Sequence, residues 1–115
     1  MSGPKELQID IDRRDGASVV TPMGEIDLGR SPTLRKELGV VIAEKPPHVV
    51  VNLAEVPYMD SSGVATLVEA LQQCRTADLA LSLCGMQDRV RSIFEIARLD
   101  MVFTIETTLE AALDS

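Results

Sequence analysis

HVVVNLAEVPYMDSSGVATLVEALQQC, His48 to Cys74, is the stretch that decides the architecture of this chain. Val49-Val50-Val51 with Leu53 is a short continuous apolar run, the pattern of a strand covered on both faces. A turn around Glu55 to Tyr58 follows. Beyond Asp60-Ser61-Ser62-Gly63 the period changes, and Val64, Leu67, Val68, Leu71 and Cys74 recur at helical spacing. A buried strand that feeds a helix is the repeating step of a parallel sheet.

The flanks extend the same alternation. Leu7, Ile9 and Ile11 alternate with Gln8, Asp10 and Asp12, which predicts a strand with one buried face. Asp15-Gly16 is a hairpin turn signal, so the next strand, Ala17–Met23, should run antiparallel to the first. Pro22 near its end is tolerable only at an edge or a bulge. Ser31-Pro32 predicts a helix start with Ser31 as N-cap, Leu34, Leu38, Val41 and Ile42 on one face, and Pro46-Pro47 as the stop. Leu79, Leu81 and Leu83 mark a fourth strand. Asp88 opens a third helix with Val90, Ile93, Phe94 and Ala97 inward, and Val102 to Ile105 is a short last strand. Thr107-Thr108-Leu109-Glu110 reads as a capping box that opens a terminal helix. The order β-β-α-β-α-β-α-β-α predicts an α/β sandwich with a mainly parallel sheet, right-handed crossovers and an antiparallel edge from the first hairpin. Residues 1–115 are expected to form a single domain with Met1 to Lys5 as a loose end, since 115 residues suffice for one core and not two.

Composition narrows the function. Aromatic residues make up 3% and Trp is absent, so the core must be aliphatic and base-stacking surfaces are not on offer. A formal net charge of −7 disfavours nucleic-acid phosphates and anionic membranes, and suits a basic protein partner or plain solubility. Cys74 and Cys84 lack metal or CxxC spacing and are expected as buried free thiols. No apolar leader or membrane-length segment is present, which predicts a soluble, cytoplasmic protein. No phosphate-binding glycine loop, GxSxG elbow or metal-spaced cluster occurs, so no catalytic residue, metal or cofactor is expected. The one histidine, His48, reads as a loop or edge residue.

Two polar clusters remain. Asp60-Ser61-Ser62-Gly63 joins a buried strand region to a helix at the carboxyl end of the sheet, where open α/β folds expose functional loops. One reading is N-capping. The other is that a surplus hydroxyl points outward to be phosphorylated, at a helix end that suits an anion. Gly24-Glu25-Ile26-Asp27 is either a strand-ending turn or a partner-facing loop.

Together, GEID at Gly24 to Asp27, VVVNL at Val49 to Leu53, MDSSG at Met59 to Gly63 and VRSIFEIARLDMVFTI at Val90 to Ile105 resemble the STAS-domain anti-sigma factor antagonists over nearly the whole chain. The resemblance implies that the unphosphorylated protein binds an anti-sigma factor that is also a serine kinase and so releases a sigma factor. It implies that the kinase phosphorylates Ser61, that a phosphatase resets it, and that Asp27 lies on the partner surface with Asp60, Ser61, Ser62 and Gly63. Pro22 and Arg98 depart from the family pattern; Arg98 stands where a glycine is common. Two other readings compete: a non-phosphorylated STAS adaptor in a larger assembly such as a lipid-transport complex, and a small serine hydrolase built on Ser61.

Overall fold

The computed structural model describes residues 6–114; Met1 to Lys5, read above as a loose end, lie outside them. Its elements are β1 (Gln8–Arg14), β2 (Ala17–Met23), α1 (Ser31–Ala43), β3 (His48–Asn52), α2 (Ser61–Thr76), β4 (Ala80–Cys84), α3 (Asp88–Ile96), β5 (Thr104–Glu106) and α4 (Leu109–Leu113), with a 3-10 turn at Leu99–Met101. The five strands lie side by side in chain order. β1 and β2 are antiparallel, and β2, β3, β4 and β5 are mutually parallel. The α/β architecture with an antiparallel edge is the one the alternation of periods predicts.

β3 shows why its sequence is apolar without interruption. Val49, Val50 and Val51 are fully buried. Val49 and Val51 face the main core with Leu34, Leu38 and Val41 of α1, Leu67 and Leu71 of α2, and Val90 and Phe94 of α3. Val50 points the other way, toward Val19, Cys84 and Ala112 of α4. Successive strand residues alternate faces, so a strand with helices on both sides has no polar positions left. Each such side chain contributes about 1.5–3 kcal/mol of transfer free energy. Both cysteines are free and buried, as expected, and burial raises their pKa values, that of Cys84 to about 11.

Several local expectations are corrected. Ser31 is buried as the first residue of α1 and is not its N-cap; Arg30 holds that position without a side-chain cap bond. Asp27 anchors the start instead, its carbonyl accepting from the N–H groups of Arg30 and Ser31. Pro22 lies on an interior strand, not an edge, but the β2–β3 pairing ends at Val20, so no ladder bond on that side is lost. The last strand begins at Thr104, because Leu99–Met101 winds into the 3-10 turn and leaves Val102 exposed. Ala97 is exposed as the C-cap of α3. Thr108, not Thr107, caps α4 by accepting from Ala111 N–H, which places Glu110 too early for a capping box. Arg98 adopts a left-handed conformation, φ 61°, which accounts for a glycine suiting this position.

His48 is also misplaced by the sequence reading. It begins the central strand β3, is only 8% exposed, and its Nε2 lies 2.8 Å from Ser82 Oγ. It borders a depression shared with Leu71, Arg75 and Val102. Burial pushes the imidazole below its ordinary value of 6.5. The unfolded chain therefore takes up a proton first as pH falls. The stability associated with neutral His48 is present above pH 6.5 and is lost as pH drops through 6.5 toward the lower folded value. Thermal melts between about pH 7.5 and 5.5 should show falling stability for the wild type and a flatter profile for His48→Gln. Parallel profiles would remove His48 as the cause.

Candidate functional site

The site is built where two loops are stitched together at the carboxyl end of the sheet. Ile26 forms an isolated parallel bridge with Met59. Its N–H donates to Tyr58 O at 3.0 Å and its carbonyl accepts from Asp60 N–H at 3.0 Å. The Ile26 side chain is fully buried, as is that of Met59. The polar residues that alternate with them, Asp27 and Asp60, are thereby turned toward the surface. Gly63 permits this approach: a Cβ there would lie 2.9 Å from Ile26 Cγ2 and 3.1 Å from Met59 Cβ. Glycine in the first turn of α2 is thus a matter of space, and it outweighs the roughly 1 kcal/mol that glycine costs a helix relative to alanine.

Asp60 is the N-cap of α2, with extended backbone (φ −96°, ψ −172°). Its Oδ1 accepts from the Ser62 N–H at 2.9 Å and from the Ser62 hydroxyl at 2.5 Å. The Ser62 hydroxyl is the largest of the causes that hold the Asp60 carboxyl below its ordinary range. Partial burial works against it, and backbone N–H groups of Ser62, Gly63 and Leu28 reinforce it. Asp60 is therefore an anion at neutral pH, seated at the positive end of a 16-residue helix.

The two serines have different jobs. Ser62 is half-buried and spends its hydroxyl on Asp60. Ser61 is exposed, occupies the first position of the helix, and its hydroxyl has no hydrogen-bond partner among the described residues. Capping thus accounts for Asp60 and Ser62 and leaves Ser61 over.

Asp27 stands beside this cluster and carries the turn-capping role that its sequence context left open. Its Oδ1 accepts from Arg30 N–H at 3.0 Å and its Oδ2 pairs with the Arg30 guanidinium at 2.9 Å. The side chain is still 41% exposed. Gly24 opens the loop with φ 122°, a region that favours glycine, and donates to Glu55 O at 3.0 Å. Sequence reasoning missed the other face of the site. An open depression of about 520 Å³ lies beside Ser61, lined by Val64 and Ala65 of α2, by Ile93 and Ala97 of α3, and by Tyr58. Arg89 stacks over the Tyr58 ring at 5.2 Å from its centroid. Ile93 and Ala97 were read as core; their partial and full exposure is what places them here. Two apolar residues are largely exposed near this region, Leu28 in the GEID loop and Ile96 on α3 between Ile93 and Ala97.

His48 cannot serve Ser61 as a base. It sits at the amino end of β3 and bonds Ser82, whereas Ser61 follows that strand's carboxyl end. Among the described residues there is no cluster of three potential metal ligands, and no helix is long and apolar enough to cross a membrane.

Comparison with known proteins bears on this arrangement. The family model of the STAS domain matches residues 8–112. The anti-sigma-B factor antagonist of Listeria monocytogenes is 32% identical over 101 residues, covering 87% of this chain and 89% of that protein. The crystal structure of an anti-sigma factor antagonist from Mycobacterium paratuberculosis superimposes with a TM-score of 0.86 at 28% identity, over 99% of this chain and 97% of the other. SpoIIAA of Bacillus in its phosphorylated form superimposes with a TM-score of 0.73 over 93% of this chain and 97% of the other; at 19% identity that likeness is one of fold.

The division between the serines has a measurable consequence. Ser62→Ala should lower stability by about 1 kcal/mol through loss of the bond to Asp60, while Ser61→Ala should stay within about 0.5 kcal/mol of wild type. Chemical denaturation of both variants checks this, and equal losses would contradict the geometry.

Proposed function

The chain belongs to the STAS-domain anti-sigma factor antagonist family, and on that premise we propose that it is a phosphorylation-controlled antagonist with Ser61 as the acceptor. In its unmodified form it binds an anti-sigma factor that is also a serine kinase, and a sigma factor is released. The kinase uses ATP to phosphorylate Ser61, which ends the binding, and a phosphatase restores the hydroxyl. The partner surface comprises Asp27, Asp60, Ser61, Ser62 and Gly63. The protein works in the cytoplasm, with no membrane or nucleic-acid contact of its own, and residues 1–115 act as one domain.

The observation that carries this reading is the unbonded, exposed Ser61 hydroxyl next to a cap that Asp60 and Ser62 already complete. An adaptor with no acceptor would have no use for it. A phosphate on Ser61 adds a charge of roughly −1.5 to −2 at a helix end that accommodates anions, so the fold tolerates it. The partner does not. It would have to bury a dianion beside the ionised Asp60, at a cost in desolvation and like-charge repulsion. Asp27 contributes from the adjoining loop while also holding the turn, so Asp27→Asn, which keeps the acceptor, is the informative change there.

Titration of the anti-sigma kinase with unmodified and Ser61-phosphorylated protein should show affinity lower by roughly 5–150-fold for the phosphorylated form, a coupling of about 1–3 kcal/mol. Amide NMR shifts on phosphorylation should stay local to Asp27 and to Asp60 through Val64. Equal affinities would refute the switch, and shifts spread through the sheet and α4 would replace local electrostatics with a conformational mechanism.

A further inference from the structure

We propose that Arg89 is the counter-ion of phosphorylated Ser61: its guanidinium leaves the Tyr58 ring and pairs with the phosphate. The inference rests on the function proposed above and adds the group that receives the new charge. β3 and β4 are adjacent and parallel, so α2 and α3 both start from the same end of the sheet. Ser61 and Arg89 stand in the first turns of these two helices. Tyr58 and Ser61 line one depression, and Arg89 lies over the Tyr58 ring. Ile93 and Ala97, about one and two turns beyond Arg89 along α3, line the same depression.

A phosphate here needs such a partner. The helix dipole favours its charge, but the amides of the first turn are already in use. Ser62 N–H donates to Asp60 Oδ1 at 2.9 Å, and the N–H groups of Gly63 and Val64 donate to Asp60 O at 3.1 and 3.2 Å. The charges around it are unequal. Its own loop brings Asp60, an anion that repels it. The adjoining loop brings Asp27 and Arg30, which pair with each other at 2.9 Å. From α3 come Asp88 and Arg89, which form no ion pair with each other; among the described residues Arg89 belongs to no ion pair at all. Its side chain is exposed and rests on an aromatic face instead. That contact is weak at an exposed site, whereas a guanidinium matches a phosphate with two parallel, charge-assisted hydrogen bonds. Pairing offsets the repulsion from Asp60, so the phosphate keeps its second negative charge to lower pH than it would without Arg89.

The test uses the full chain carrying phosphoserine at position 61, installed during its synthesis so that no kinase is needed. Phosphorus NMR follows the second ionisation of the phosphate, which lies at about pH 6 for an unperturbed phosphoserine, at low salt. Arg89→Gln, an exposed change that leaves the core alone, should raise that pKa by about half a unit or more relative to wild type. Arg89→Lys keeps the charge and loses the planar fork, so its value should fall between the two. Arg91→Gln removes the same charge from α3 two residues further on, where the helix has turned to another face, and should shift the pKa by less than about 0.2 units. Added NaCl at about 0.5 M should narrow the gap between wild type and Arg89→Gln. Melting temperatures identify a variant that fails to fold, and if Arg89→Gln does, wild type against Arg89→Lys decides. Equal pKa values in wild type and Arg89→Gln would overturn the pairing and leave Ser61 standing as the acceptor. An equal shift in Arg91→Gln would assign the effect to the general field of α3 and likewise overturn it. Failure of the anti-sigma kinase to modify Ser61 would instead remove the proposed function, on which this titration does not depend.

Discussion

Ile26 carries the constraint from which the site follows. It has no exposed surface, its amide and carbonyl are both committed to the Tyr58–Asp60 segment, and the first turn of α2 packs on its side chain at Gly63. A residue held by backbone bonds on one side and by close packing on the other cannot rotate without losing both. Because side chains alternate along extended backbone, burying Ile26 and Met59 obliges Asp27 and Asp60 to face outward on adjoining loops. The candidate functional surface is thus a by-product of how two strand ends close over the core.

What that closure presents is a helix start whose electrostatic needs are already met. Asp60 accepts from Ser62 twice, and its carboxyl is held below the ordinary range. The next hydroxyl, Ser61, is left pointing at solvent with a partial positive charge behind it and a carboxylate beside it. Such a position can accept added negative charge without disturbing the fold, since the core under it is aliphatic and made by Val49, Val51, Leu67 and Leu71. It is a poor position at which to bury that charge against another protein. Tolerance in the free protein and intolerance in the complex are the two properties a reversible modification needs in order to control binding.

Legibility from sequence followed the range of the interaction. Val49 to Val51 declared a doubly covered strand because each residue's environment is set by the sheet it belongs to, and Leu34, Leu38, Val41 and Ile42 declared a buried helix face. The DSSG cluster declared a helix start, since Asp60 and Ser62 bond within two residues of each other. Caps set from farther away were misread. Ser31 has the right chemistry for an N-cap, yet the helix is anchored by Asp27, four residues upstream, and Ser31 is drawn inside. His48 looked like a loop residue because nothing local reveals that Ser82, 34 positions later, waits beside it. Ile93 and Ala97 fit the core-facing stripe of a helix equally well whether α2 covers them or stops short. Their place beside Ser61 depends on how two helices pack, which periodicity along one of them does not encode.

The central claim is that Ser61 and Ser62, adjacent and chemically identical, are made unequal by Asp60. Peptide-level mass spectrometry of the wild-type protein after incubation with the proposed anti-sigma kinase and ATP measures that inequality directly. The account predicts one phosphate per chain, on Ser61. Phosphate on Ser62, or divided evenly between the two serines, would contradict it.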